Sequence, residues 1–218
     1  GSSVVIVKTG DSDELDVYDS GDNNPASGVL TPGELTGLGM TRGVRYGGFE
    51  DLRLWLGRGD DNLFIDSTTS GRYSVNTGGG DDVVNIASIS GPTTIEGGDG
   101  DDTIRVNFDR SGRQTYRSGV GAELVLHGQG GGDTYEIGLA GEKTSTVDVI
   151  DQSPANDLGV DRLLIYGTEG DDLMLLRANR AAARAVVASY QVDADLVPVA
   201  GGFVERVNYD GDINGSLQ

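Results

Sequence analysis

Apolar and polar residues alternate in short runs along this chain, and the runs come in pairs around turns rich in glycine and aspartate. Leu52 and Leu54 precede Gly57-Arg58-Gly59-Asp60-Asp61, and Leu63 and Ile65 follow it. Tyr73 and Val75 precede Gly78-Gly79-Gly80-Asp81-Asp82, with Val84 and Ile86 behind. Thr93 and Ile95 lead into Gly97-Gly98-Asp99-Gly100-Asp101-Asp102, followed by Ile104 and Val106. Leu124 and Leu126 lead into Gly128-Gln129-Gly130-Gly131-Gly132-Asp133, followed by Tyr135 and Ile137. Leu163 and Ile165 lead into Gly167-Thr168-Glu169-Gly170-Asp171-Asp172, followed by Met174 and Leu176. A period of two is the signature of a strand with one buried face, and Gly-Asp clusters mark turns. Each unit therefore predicts strand, turn, strand. A worn copy opens the chain at Thr9 to Asp13 with Leu15 and Val17 behind it. Val4 and Ile6, and Val207 and Tyr209, fit the leading-strand columns.

Asp61, Asp82 and Asp102 follow one another at intervals of 21 and 20 residues. Between them, 67–71 and 88–92 make a second turn without aspartate. One circuit thus holds two strands and two corners, with Gly-Asp at a single corner, and one column of acidic turns is expected along one edge. The later intervals are longer. Residues 109–121 form a polar loop bearing Arg110, Arg113 and Arg117, with Arg105 just ahead. Thr146 to Ile150 followed by Asp151 to Asp161 reads as an extra circuit without the motif. The period breaks over 19–48, read as an insertion packed on the end or side of the array, and over 177–203. Within the latter, 177–190 is rich in alanine and arginine, which favour helix, but it sits among strands and is read as strand. The remainder, 4–218, reads as one all-β module. Gly1-Ser2-Ser3 looks like an expression scar, and the whole like a slice of a longer array.

Composition sharpens this picture. Glycine supplies 36 of 218 residues, against the ~7% of an ordinary chain, without the three-residue period of collagen. The formal charge is −19, and aspartate outnumbers glutamate 26 to 9. That charge repels phosphates and argues against a nucleic-acid partner. The shorter carboxylate suits tight turns and hard cations. The absence of cysteine excludes disulfides and thiolate metal sites. No run is apolar enough to enter a bilayer as a helix.

Stacked strands lie about 4.7–4.9 Å apart, so the turn aspartates would form a ladder of like charge. Two unit charges ~5 Å apart repel by roughly 3 kcal/mol at an effective dielectric of 20. A divalent cation held by carboxylates and glycine carbonyls reverses that sign, so Ca2+ is the expected cofactor. The repeated acids argue against an enzyme, because a catalytic pair should be singular. His127, the one histidine, could act as a base but more simply packs on its strand. The arginines of the 109–121 loop balance the acidic edge. Asn214-Gly215-Ser216 is a glycosylation sequon. Tyr46, Trp55, Tyr73, Tyr116, Tyr166 and Tyr190 share no column, which weighs against a sugar-binding strip.

The turns, above all G-G-D-G-D-D-T-I from Gly97 to Ile104, resemble the nonapeptide of RTX-type calcium-binding β-solenoids. L-T-G-L-G-M (Leu35 to Met40), I-S-G-P-T-T-I-E-G-G-D-G-D-D-T-I (Ile89 to Ile104), G-Q-G-G-G-D-T-Y (Gly128 to Tyr135) and V-N-Y-D-G-D-I-N-G (Val207 to Gly215) resemble a repeat module of giant secreted surface proteins. The resemblance implies a parallel β-helix or β-roll solenoid, extracellular or cell-surface location, and a structural or adhesive role without catalysis. Its partners would be calcium, surface glycans and neighbouring repeats. The implied ligands are Asp61, Asp82, Asp102, Asp133 and Asp172, helped by Asp60, Asp81, Asp99, Asp101 and Asp171 and by Gly59, Gly80 and Gly100. The alternative implied by the same architecture is a carbohydrate-binding or polysaccharide-active module of the lyase or epimerase type.

Overall fold

The computed structural model describes residues 4–7, 12–151, 159–179, 184–193, 195 and 197–210. These residues are all-β, with no helix among them. The strands are β1 (Val4–Val7), β2 (Glu14–Tyr18), β3 (Ser27–Thr31), β4 (Glu34–Gly37), β5 (Met40–Gly47), β6 (Asp51–Trp55), β7 (Asn62–Ile65), β8 (Arg72–Gly79) and β9 (Val83–Ile86). They continue as β10 (Thr93–Asp99), β11 (Thr103–Val106), β12 (Leu124–Gly130), β13 (Thr134–Gly138), β14 (Ser145–Val149), β15 (Arg162–Tyr166), β16 (Leu173–Asn179), β17 (Arg184–Tyr190) and β18 (Val204–Asp210).

They form two mixed nine-stranded sheets. Sheet I has the order β1-β5-β4-β3-β7-β9-β11-β13-β15, and sheet II the order β16-β17-β18-β14-β12-β10-β8-β6-β2. From β6 to β15 the chain alternates strictly between them, and every pairing in that stretch is parallel. Leu52, Tyr73, Thr93, Leu124, Val147 and Val207 share one register position in sheet II. Leu63, Val84, Ile104, Tyr135 and Leu163 share one in sheet I. Both rows are buried and meet in a single thin core. Each such apolar side chain contributes about 1.5–3 kcal/mol by leaving water, so the core is built by repetition rather than by depth.

Several expectations change here. Leu15 pairs with Leu52, so β2 is a leading strand and not the strand behind a turn. Leu163 pairs with Tyr135 and belongs to the trailing column of sheet I. The circuit without the motif is therefore β14 followed by β15. The expected insertion instead extends sheet I. Its β3 pairs in parallel with β7, and β4 and β5 fold back from it as an antiparallel meander. The described residues of the alanine-rich segment are strand, as expected: 177–179 end β16, 184–190 form β17, and the two pair antiparallel. Asp11 in the worn first copy and the sequon at Asn214 lie outside the described residues.

Candidate metal centre

The Gly-Asp turns between β6 and β7, β8 and β9, β10 and β11, and β12 and β13 all lie at the same corner, where the chain passes from sheet II to sheet I. Glycine is required where this corner turns. Gly80 and Gly100 have φ of 114° and 131°, and a methyl group on either would run into the backbone of the glycine stacked beneath it, Gly59 or Gly80. L-residues avoid that region.

The paired aspartates separate into two columns. In the inner one, the Oδ1 atom of each carboxylate accepts a backbone N–H from the preceding turn. Ala26 donates to Asp61 at 2.8 Å, Asp61 to Asp82 at 2.6 Å, Asp82 to Asp102 at 2.8 Å and Asp102 to Asp133 at 2.9 Å. Asp133 continues the column by donating to Asp161 at 2.9 Å. The outer column runs the other way. Asp81 donates to Asp60 at 3.0 Å, Asp101 to Asp81 at 2.9 Å and Gly132 to Asp101 at 2.7 Å. The inner carboxylates are buried and the outer ones are exposed.

Aspartate in these columns therefore works first as a staple between turns, a role for which its short side chain has the right reach. The inner column also carries an electrostatic cost. Burial pushes the Asp82 carboxyl up to about 6 and that of Asp102 up to about 8, against the amide bonds that favour ionisation and with the neighbouring acids adding to the rise. Oδ2 of Asp102 is buried with no hydrogen-bond partner. It rests against Gly97, where a methyl group would collide with it. Such a site calls for a proton or a cation.

The column ends in a tighter cluster. Asp133, Asp151 and Asp161 are all buried, and each offers a carboxylate oxygen within 4.8 Å of the others. Asp151 follows β14 and accepts the N–H of Gln129 at 3.3 Å, while no donor reaches its Oδ2. Its carboxyl is held above the ordinary range, chiefly by burial and then by the charges of Asp161 and Asp133. Tyr135 is fully buried, and its hydroxyl and the Asp133 carboxylate both lie against Gly128, where a methyl group would strike both. Burial and these three acids push the phenol up, so it stays protonated. Three carboxylates make an all-oxygen set suited to a hard divalent cation. One oxygen from each falls short of the six to eight that calcium takes, leaving the balance to second carboxylate oxygens and water. The cluster could thus hold a metal ion, and its chemistry excludes soft metals.

The structure brings Asp61, Asp82, Asp102 and Asp133 into one inner column, and Asp60, Asp81 and Asp101 into the outer one. Gly59, Gly80 and Gly100 stack beneath them. Asp99 ends β10 with its carboxylate exposed and its carbonyl accepting the Gly80 N–H. Asp171 and Asp172 lie elsewhere, in the turn from β15 to β16, where the chain passes from sheet I to sheet II at the opposite corner. There Asp172 accepts Thr168 N–H at 2.9 Å and its hydroxyl at 2.8 Å. The in-register residue is Asp161, which sequence reading passed over together with Asp151. The signal for Asp161 was available. Asp161-Arg162-Leu163-Leu164-Ile165 repeats the D-x-apolar-x-apolar order of Asp133 to Ile137, but without the glycines used for alignment.

His127 donates its Nδ1–H to the Ile150 carbonyl, 2.7 Å away, and takes no part in the cluster's ligand set. Arg105 pairs with Glu136 at 3.1 Å, while Arg110, Arg113 and Arg117 are exposed. Tyr18, which was not among the aromatics weighed in the sequence, shares a register position with Trp55 and stacks on it, with ring centroids 4.6 Å apart. Comparison with family models, with curated proteins and with solved structures finds no match to this chain.

Proposed function

We propose that this chain is a calcium-stabilised β-solenoid module, structural or adhesive, from a large extracellular or cell-surface protein. The observation that carries the reading is the in-register column of buried aspartates that runs into the Asp133, Asp151 and Asp161 cluster. A column of that kind is unfavourable when fully ionised and metal-free, and becomes favourable once divalent cations neutralise it. Calcium is preferred to magnesium because the acidic oxygens come from several separate turns whose geometry is set by strand stacking. Such a set tolerates calcium's variable coordination better than the strict octahedron of magnesium. Millimolar calcium outside cells would fill such sites, so folding would be completed there. The alternation of strands between two sheets in parallel register supports the solenoid, and the exposed Leu175 and Leu176 on the terminal strand β16 suit contact with a neighbouring module. The column's carboxylates bond to backbone amides, which fits a structural role without catalysis.

Calorimetric titration of calcium into chelator-stripped protein, read beside circular dichroism, tests this. Saturable binding with a rise in Tm of several degrees or more is expected, larger for calcium than for magnesium. Asp151→Asn and Asp161→Asn should each weaken binding at least tenfold. No binding heat together with an unchanged Tm would sink the proposal.

A further inference from the structure

The outer face of sheet II carries a groove beside the Gly-Asp corner, lined by none of the buried aspartates. Its volume is about 600 Å³, within the range of small-molecule sites, and it is walled by Trp55, Arg58, Asn76, Asp99 and Ser20 over a floor of glycine backbone at 78–80. Tyr18 stacks on one face of the indole with the two planes only 5° apart. The Arg53 guanidinium lies over the indole, 5.7 Å from its centroid, and pairs with Glu14 and with Asp16 on β2. The indole lines the groove, and β8, on the side of β6 away from β2, places Asn76 at the adjoining register position. The glycine floor matters because side chains there would fill the space beside the ring.

The row continues across the sheet. Trp55, Asn76, Glu96 and His127 occupy successive register positions on β6, β8, β10 and β12, each about 4.7–4.9 Å from the next. Asn76 donates to Glu96 at 2.9 Å, which fixes the amide and turns its oxygen to other donors. An aromatic plate followed by evenly spaced donors and acceptors matches a ligand with flat C–H faces and many hydroxyls. It does not match an apolar ligand, because four of the five walling side chains are polar. The acidic surface, at a formal −19 for the chain, disfavours a polyanion.

We infer that this groove binds a neutral saccharide chain, with one pyranose ring against Trp55 and further sugars along Asn76, Glu96 and His127. The site takes no carboxylate from the inner column, so it stands or falls separately from the calcium proposal.

Trp55 is the sole tryptophan, so intrinsic fluorescence reports on this groove alone. The experiment titrates calcium-loaded protein with neutral oligosaccharides of glucan, mannan, xylan and galactan, from two to six sugars long, and with oligouronates. A saturable change in Trp55 emission is expected for at least one neutral series, tightening with chain length. Asn76→Ala and Arg58→Ala should weaken it five- to tenfold with an unchanged circular dichroism spectrum. Trp55→Ala, followed by calorimetry, should abolish binding. No response to any neutral series overturns the inference, as does equal binding by the Asn76 and Arg58 variants or a preference for the oligouronates. The calcium titration of the same sample reports its own result whichever way this one falls.

Discussion

The inner and outer aspartate columns differ by one position in the sequence and by almost everything else. Asp81 and Asp82, or Asp101 and Asp102, make the same kind of bond, a carboxylate oxygen accepting a backbone N–H from the adjacent turn. The bonds point in opposite directions along the stack, so each corner is tied to the one above and to the one below. Only the inner members are shut off from water. The comparison teaches that the residue type fixes the staple, while burial decides whether its charge has consequences.

The largest effect should come from breaking the inner staple. Asp102→Ala leaves the buried Asp82 N–H without its acceptor, an omission that costs about 1–3 kcal/mol. Chemical denaturation should show a loss of that size. A change below ~0.5 kcal/mol would mean that the inner bond contributes nothing net.

A second effect sharpens the electrostatic half of the contrast. The folded-state carboxyls of Asp82 and Asp102, at about 6 and about 8, lie above the ~3.9 of an unfolded chain. The folded form then holds more protons than the unfolded form between pH 4 and pH 8, and stability must fall as pH rises through that window. With a chelator present, Tm should be several degrees lower at pH 8.5 than at pH 5. Calcium should shrink the gap. Asp102→Asn keeps the acceptor oxygen and removes the charge, so it should flatten the chelator curve above pH 7. A metal-free Tm that climbs toward pH 8.5 would contradict this account.

The smallest effect belongs to the outer column. Asp101→Ala removes the acceptor for Gly132 N–H, but water can replace an exposed bond, and the loss should stay within about 0.5 kcal/mol. A cost equal to that of Asp102→Ala would erase the distinction between the columns.

Much of this arrangement was legible in the sequence. The alternation of Leu52 and Leu54, or of Val84 and Ile86, announces strands because a period of two places both side chains on one face. The Gly-Asp turns announce a shared corner because strands of equal length must turn at equal intervals. What could not be read was pairing across distance. Leu163 carries the same local pattern whichever sheet it joins, and the Gly167 to Asp172 turn looks like its predecessors although it serves the opposite corner. Asp161 lacked the expected glycines, and Asp151 enters the cluster only because β14 stacks on β12. The stacking of Tyr18 on Trp55 depended likewise on the register of β2 against β6.

The two corners also differ in how much chain they contain. At the aspartate corner three links are held to three residues, 80–82, 100–102 and 131–133, while 56–61 takes six and 19–26 and 150–161 are longer. At the opposite corner the links 66–71, 87–92, 139–144 and 167–172 are of equal length, and 107–123 alone is long. There the longer link is tied down by side chains, Asn107 donating to the Gly138 carbonyl at 2.6 Å and Gln114 to those of Leu139 and Gly167, each at 3.0 Å. Doubling the length of a flexible loop costs only about 0.6 kcal/mol in closure entropy. The molecule therefore locks length at the three tightest stapled turns and tolerates it in the long link 107–123, so variation between relatives and engineered insertions alike belong in that link rather than at 80–82, 100–102 or 131–133.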